Sequence, residues 1–125
     1  MKNISKVGKK EFFAALKRSQ KKTNKYNATR VTIDGRTYAS KREAEVSCDL
    51  RLRQRVGSLS TIEYQPRYEL IPKPNLITYV ADFLITYPDG RVEVIDVKGM
   101  ETDVFKIKAK MFRHFYPHLR LVIMK

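Results

Sequence analysis

The chain has 125 residues, of which 42% are hydrophobic, so it is long enough for one domain with a modest core. No apolar run approaches the roughly 20 residues that a membrane-spanning helix needs, and "FFAAL" is too short for the apolar region of a secretory signal, so we expect neither a membrane protein nor a secreted one. A single cysteine, Cys48, excludes an internal disulfide framework and predicts a reducing, cytoplasmic location.

Positive charge is concentrated near the N-terminus. The chain carries 26 Lys and Arg against 13 Asp and Glu, a formal net charge of +13. Residues 1–30 hold ten of the basic residues and a single acid, Glu11. This charge favours a polyanionic partner such as a nucleic acid, with a solvated basic surface as the alternative. We predict a flexible basic arm over residues 1–27 and a folded domain over residues 28–125.

The folded domain is predicted to begin with a hairpin and a helix. "ATRVTIDGRTYAS" predicts two strands joined by a turn at Asp34-Gly35. Ser40, followed three residues later by Glu43, has the spacing of a capping box and predicts a helix over about Lys41–Val56. The apolar positions with helical spacing, which we expect to be buried, are Ala44, Cys48 and Leu52.

Strands and a second helix are predicted to follow. "STIEY" and "RYELI" are typical of short strands, and two longer strands flank the turn "YPDGR". A helix over about Asp103–Phe115 precedes a last strand at 119–125. Its predicted buried face comprises Val104, Ile107, Met111 and Phe115. The order of elements predicts a mixed α/β fold.

Each of the two longer strands contains an acid, Asp82 and Asp96, within an otherwise apolar segment. Pro88 and Gly90 favour a type I turn followed by a left-handed glycine, a three-residue loop that pairs Tyr87 with Arg91. Counting back from that pair places Asp82 opposite Asp96. A two-residue turn would instead place Asp82 opposite Ile95.

Two opposed carboxylates repel each other unless a cation lies between them. Mg²⁺ is commonly held by one or two carboxylates with waters and phosphate oxygens. Lys98 lies on the same face as Asp96, where it can orient a water molecule or neutralise charge on phosphorus. The pattern favours phosphodiester hydrolysis. The structural alternative is that backbone amides satisfy Asp82 and that Lys98 is simply its ion-pair partner.

Several blocks resemble the PD-(D/E)-X-K nuclease superfamily. They are similar, more closely, to small phage and prophage nucleases related to archaeal Holliday junction resolvases. The matching blocks, which span roughly residues 25–125, are "YASKREAE", "IEYQPRYELIP", "YVADF", "VIDVKG" and "FKIKAKMF". The resemblance implies a restriction-endonuclease-like αβββαβ core and an endonuclease that depends on Mg²⁺, with Mn²⁺ as the alternative metal.

The resemblance also implies a role for individual residues. Asp82 and Asp96 correspond to metal ligands, and the carbonyl of Val97 corresponds to a further ligand. Lys98 corresponds to the catalytic lysine. Glu43 corresponds to the helical glutamate that completes the acidic cluster, with helix capping as its alternative role. Ala81 stands where the superfamily nominally has proline.

Further residues are predicted to contact the substrate. Gln65, in "EYQPRYE", is expected to orient a water or to touch the scissile phosphate, with a plain polar loop residue as the alternative. The residues expected to contact the DNA backbone are Lys21, Lys22, Lys25, Lys41, Arg42, Lys106, Lys108 and Lys110. Lys106 and Lys110 share a helix face that Lys108 does not.

The sequence therefore predicts a homodimeric, metal-dependent endonuclease for branched DNA, most simply a Holliday junction resolvase of phage or prophage origin acting in DNA recombination and repair. One alternative keeps the chemistry and changes the substrate, as in a nickase, a repair nuclease or a transposition subunit. The other is a non-catalytic nucleic-acid-binding module in which the basic arm carries the function.

Overall fold

The structure is a computed structural model that describes residues 30–125, so the predicted arm over residues 1–27 lies outside the described residues. The chain divides into two compact units, of which the first ends at Val56 and the second comprises Gly57–Lys125. Within residues 30–125, no helix has the length and apolar character needed to cross a membrane.

The first unit contains a hairpin and one helix. Strands β1 (Val31–Ile33) and β2 (Arg36–Tyr38) are antiparallel, and the turn residues Asp34 and Gly35 have φ values of 50° and 79°. Two positive φ values suit the right-handed twist of a two-residue hairpin. Helix α1 (Lys41–Arg55) has Ser40 as its N-cap and Val56 as its C-cap. The predicted hairpin turn and helix are confirmed.

The buried face of α1 differs in part from the prediction. Ala44 and Cys48 are buried, but the prediction for Leu52 is wrong, because its side chain is 43% exposed. Burial along the helix ends at Leu50, and the last turn carries arginines that favour solvent. The other apolar and small residues that are buried in this helix are Val46, Ser47 and Leu50.

The second unit is built on a four-stranded mixed sheet in the order β3-β6-β7-β8. Strands β3, β6 and β7 pair antiparallel, and β8 pairs parallel to β7 across the helix crossover. With the β1–β2 and β4–β5 hairpins set aside, the chain order is helix, three strands, helix, strand, so the predicted αβββαβ order is confirmed. The bounds are β3 Thr61–Tyr64, β4 Arg67–Ile71, β5 Ile77–Val80, β6 Phe83–Thr86, β7 Val92–Val97, α2 Asp103–Phe115 and β8 Arg120–Met124.

The first of the two longer predicted strands is divided into two. Residues Ile77–Val80 form β5 and pair with β4, whereas residues Phe83–Thr86 form β6 and pair with β3 and β7. The chain bends between them at Asp82. The expectation of one continuous strand was therefore wrong, because the chain leaves one sheet and enters another at this point.

The predicted register of the β6–β7 hairpin is confirmed. The N–H of Tyr87 donates to the carbonyl of Arg91 at 2.8 Å, and Gly90 has a φ of 93°. Phe83 pairs with Ile95. One further step along this register places Asp82 opposite Asp96, although Asp82 itself precedes the first residue of β6.

Helix α2 has the predicted bounds but buries a different face. The predictions for Val104, Ile107 and Phe115 are wrong, since these side chains are 64%, 61% and 48% exposed. Met111 is partly buried against the core. The helix carries two apolar stripes, and the stripe that packs on the sheet holds Phe105 and Phe112 with Ala109 between them. The core of the second unit comprises Leu70, Tyr79, Ala81, Val94, Phe105, Ala109 and Phe112.

Candidate metal and catalytic site

Asp96 is a buried carboxylate in the interior strand β7. Its relative exposure is 1%, and its neighbours in the sheet are β6 on one side and β8 on the other. A buried carboxylate is costly unless hydrogen bonds or cations compensate for the lost water. The groups that surround Asp96 therefore determine what this position can do.

Tyr79 supplies the hydrogen bond to this carboxylate. Its hydroxyl donates to Oδ2 of Asp96, and the residue is 3% exposed. Tyr79 lies on β5, so the bond joins the small β4–β5 hairpin to the main sheet. The pKa of Tyr79 is raised above its ordinary value, first by burial, then by the hydrogen bond to Asp96 and by the negative charges of Asp96 and Asp82. The tyrosine is therefore held as a neutral donor.

Lys98 pairs with the other oxygen of Asp96. Its Nζ lies 3.4 Å from Oδ1, and the lysine side chain is 35% exposed while the aspartate is buried. The same ammonium group lies 4.9 Å from the ring centroid of Phe105, a cation–π distance. The backbone N–H of Lys98 donates to the carbonyl of Met124 at 2.8 Å, which fixes the lysine at the end of β7. Lys98 therefore lies between the buried carboxylate of Asp96 and the solvent.

Asp82 is half-buried at the bend between β5 and β6. Its Oδ2 accepts a hydrogen bond from the backbone N–H of Val97 at 2.7 Å, and its own N–H donates to the carbonyl of Ile95 at 3.1 Å. The carboxylate is thereby held beside the residue that follows Asp96. This contact agrees with the structural alternative considered from the sequence, in which a backbone amide satisfies the Asp82 carboxylate. The ion-pair partner of Lys98 is Asp96 rather than Asp82.

Gln65 is hydrogen-bonded to Asp82 through the backbone. Its N–H donates to the carbonyl of Asp82 at 2.9 Å, and its φ is 52°. A left-handed conformation is uncommon for a residue with a Cβ, and such conformations concentrate at functional sites. The side chain is exposed. The structure therefore brings Gln65 to the predicted site, while its role stays a prediction.

The donor set of Asp82 and Asp96 fits a hard divalent cation. Oδ1 of Asp96 is buried and accepts no hydrogen bond from the residues that the structure describes. The Lys98 ammonium lies 3.4 Å from this oxygen. Carboxylate oxygens are ligands that Mg²⁺ prefers, and one or two carboxylates suffice when water and phosphate complete the shell. Within residues 30–125, no three His, Cys, Asp or Glu side chains form a metal-binding group. The carbonyl of Val97 stays a predicted ligand.

The family described as "Protein of unknown function (DUF1064)" matches residues 23–125. The chain belongs to this family. No curated protein and no solved structure matches the chain. The matched region of this DUF1064 protein contains Tyr79, Asp82, Asp96 and Lys98, together with Gln65.

Glu43 lies in the first unit and caps its helix. Its Oε2 accepts a hydrogen bond from the N–H of Ala39 at 3.0 Å, and its own N–H donates to Oγ of Ser40 at 3.1 Å. The carboxylate reaches the residue before the N-cap, a variant of the expected capping box. Glu43 is 8% exposed. Its capping role is confirmed, and its catalytic role stays a prediction.

The residues predicted to contact DNA differ in exposure. Lys106 and Lys110 are exposed on one face of α2 together with Arg113, whereas Lys108 is half-buried on another face. Arg42 forms an ion pair with Glu45 at 3.1 Å, and Lys41 is half-buried. The three lysines of the basic segment, Lys21, Lys22 and Lys25, lie outside the described residues.

Sequence reasoning missed two site residues, Tyr79 and Phe105. Neither residue was singled out from the sequence, and both are buried in the core. A general signal for Tyr79 existed, because a buried tyrosine hydroxyl usually finds a hydrogen-bond partner. No comparable signal existed for Phe105, since its contact with Lys98 depends on how α2 packs on the sheet.

Proposed function

We propose that this DUF1064 protein is a metal-dependent DNA endonuclease of the PD-(D/E)-X-K type. The observation that carries the proposal is the environment of Asp96, a buried carboxylate with one oxygen bonded to Tyr79 and the other beside Lys98. A buried acid of this kind has little value for stability. Its position in an interior strand, with a buried oxygen that accepts no hydrogen bond within the described residues and a partly exposed lysine beside it, supports a catalytic role.

Asp82 and Asp96 would hold the cation, with Mg²⁺ as the expected metal and Mn²⁺ as the alternative. Bound there, the metal would polarise the phosphate and stabilise the leaving oxygen. A water oxygen forms the new bond to phosphorus and gives up a proton to solvent, the bond from phosphorus to the leaving oxygen breaks, and that oxygen takes up a proton. Lys98, partly exposed, would orient the water or neutralise charge that develops on phosphorus. No protein nucleophile is required.

The proposed substrate is branched DNA, most simply a four-way junction. The formal charge of +13 supports a nucleic-acid partner through counterion release. The exposed basic face of Lys106, Lys110 and Arg113 on α2 supplies further groups for phosphate contacts. We place the protein in the cytoplasm, in a phage or prophage setting, with a role in DNA recombination and repair.

Labelled DNA cleavage tests this function. We expect paired symmetric nicks on a four-way junction with Mg²⁺, and none with EDTA or on a linear duplex of the same arm sequence. Cleavage of duplex or flap DNA would support a nuclease but not a resolvase. The function would then be that of a nickase, a repair nuclease or a transposition nuclease. Tight binding without metal-dependent cleavage of any substrate would contradict the proposal and favour the non-catalytic binding module.

A homodimer is part of this proposal, because two symmetric nicks need two sites. The exposed apolar stripe of α2, Val104, Ile107 and Phe115, supports a second copy as its partner. Asp103 and His114 flank one side of that stripe at opposite ends of the helix. Two antiparallel copies would therefore place the acid of one beside the histidine of the other.

Ile107→Glu is expected to convert the dimer into a monomer, weakening association by about 30-fold or more, because a charge would be buried at the centre of the interface. Sedimentation velocity over a range of concentrations measures this change. Leu76→Glu, a similar change at a side chain that is 45% exposed in a loop, is the control and should leave the dimer intact. A wild-type chain that sediments as a monomer throughout would contradict the prediction.

A further inference from the structure

Two neighbouring tyrosines of the core differ in what their hydroxyl groups do. Tyr68 and Tyr79 pair across the β4–β5 hairpin, their ring centroids lie 6.4 Å apart, and both rings contact Phe112. The Tyr79 hydroxyl donates to Oδ2 of Asp96. The Tyr68 hydroxyl is buried without a hydrogen bond among the residues that the structure describes. Of the two hydroxyl groups, only that of Tyr79 has a hydrogen-bond partner within the described residues.

The bond from Tyr79 restricts the orientation of the Asp96 carboxylate. With Oδ2 anchored, rotation about the bond to the carboxylate carbon would break a buried hydrogen bond and leave the Tyr79 hydroxyl without its acceptor. The other oxygen, Oδ1, then has a fixed direction. That direction is towards Lys98, whose Nζ lies 3.4 Å away. The Asp96 oxygen that faces cations is therefore Oδ1, the one that Tyr79 does not hydrogen-bond.

We infer that Tyr79 is a positioning residue for a divalent cation: by holding Oδ2 of Asp96, it directs Oδ1 into the cation site. This inference rests on the proposed function in one respect, which is that the bound cation is identified with the catalytic one. Tyr79 does not itself touch the metal or the substrate. Partners that orient a metal ligand typically account for about 10- to 100-fold in metal affinity. The bond also ties the β4–β5 hairpin to the strand that carries the ligand.

Tyr79→Phe tests the inference because it removes the hydroxyl and keeps the ring. We expect the full-length variant to bind Mn²⁺ about 10- to 100-fold more weakly than the wild type in calorimetric titration without DNA. Mg²⁺ should also raise its melting temperature less than that of the wild type, as measured by thermal unfolding. Asp96→Asn should bind no Mn²⁺ at this site. Tyr68→Phe is the matched control and should bind Mn²⁺ with wild-type affinity.

A purely structural role for Tyr79 predicts a different pattern. The metal-free melting temperature would fall while Mn²⁺ affinity stayed at the wild-type value, and that result would overturn the inference. A wild-type chain that binds no Mn²⁺ would overturn it as well. A third result separates the two proposals. If the wild type binds Mn²⁺, Tyr79→Phe binds it more weakly and no DNA is cleaved, the positioning role is supported and only the proposed function is overturned.

A second measurement needs no variant and so does not depend on Tyr79→Phe folding. In the wild type, the hydroxyl proton of Tyr79 should exchange slowly with water, and its nuclear magnetic resonance signal should shift when Mg²⁺ is added. The shift follows because the acceptor of that proton is the carboxylate that would bind the cation. A protected signal that does not respond to Mg²⁺ would contradict the inference.

Discussion

An Asp96→Asn chain is expected to lose metal-dependent cleavage by about 10³-fold or more, because the amide keeps the shape of the carboxylate but removes the charge that binds the cation. Its metal-free melting temperature should equal or exceed that of the wild type. Asp96 is 1% exposed, and its Oδ1 accepts no hydrogen bond within the described residues and has only the Lys98 ammonium 3.4 Å away, so the cost of burying its charge is only partly compensated. Lys98, which is 35% exposed, can be hydrated when its partner is lost.

The measurements are the rate of DNA cleavage at saturating Mg²⁺ and the melting temperature in EDTA. Asp89→Asn is the matched control, since it makes the same chemical change in the hairpin turn at a side chain that is 57% exposed. We expect its cleavage rate to stay within about twofold of the wild type, because exposed ion pairs contribute little. An Asp96→Asn chain that cleaves like the wild type would show that this acid is structural.

The position of the site along β6 and β7 could be predicted because local chemistry fixes it. Pro88 and Gly90 specify the turn, the turn specifies the register, and the register relates Asp82 to Asp96. The start of α2 was likewise predictable, since Thr102 accepts from the N–H of Phe105 as a local N-cap. These features depend on residues close together in sequence.

The partners of Asp96 could not be predicted in the same way. Tyr79 reaches Asp96 because the chain bends at Asp82, which places β5 in a different sheet from β6. In one continuous strand, Tyr79 and Asp82 would project from opposite faces. The bend therefore removes the alternation on which strand-based reasoning depends. A contact between two sheets is a property of the tertiary fold.

Helix α2 illustrates a second limit. Its apolar residues fall into two stripes, one through Phe105, Ala109 and Phe112, the other through Val104, Ile107 and Phe115. Both stripes have the period of a helix, so periodicity alone cannot choose between them. The first stripe is buried because its two large rings, separated by a small alanine, fit against the sheet and the aromatic residues of the β4–β5 hairpin.

Phe112→Ala is expected to lower the free energy of unfolding by about 3–5 kcal/mol, the largest loss of stability that we predict. Phe112 is fully buried, and its ring contacts Tyr68, Tyr79 and Tyr116. Removing the ring leaves a cavity among rigid aromatic side chains that cannot collapse to fill it. A domain of this size is stable by only about 5–15 kcal/mol, so urea unfolding should detect the change readily.

Phe115→Ala, three residues along the same helix, is the matched control. Phe115 is 48% exposed, so its loss should cost less than about 1 kcal/mol in the monomer. Because the proposed dimer interface includes Phe115, unfolding is best measured in the Ile107→Glu background, where association does not contribute. Equal losses for the two variants would mean that both stripes of α2 are buried. A larger loss for Phe115→Ala would mean that the helix packs on the sheet through the face first predicted from the sequence.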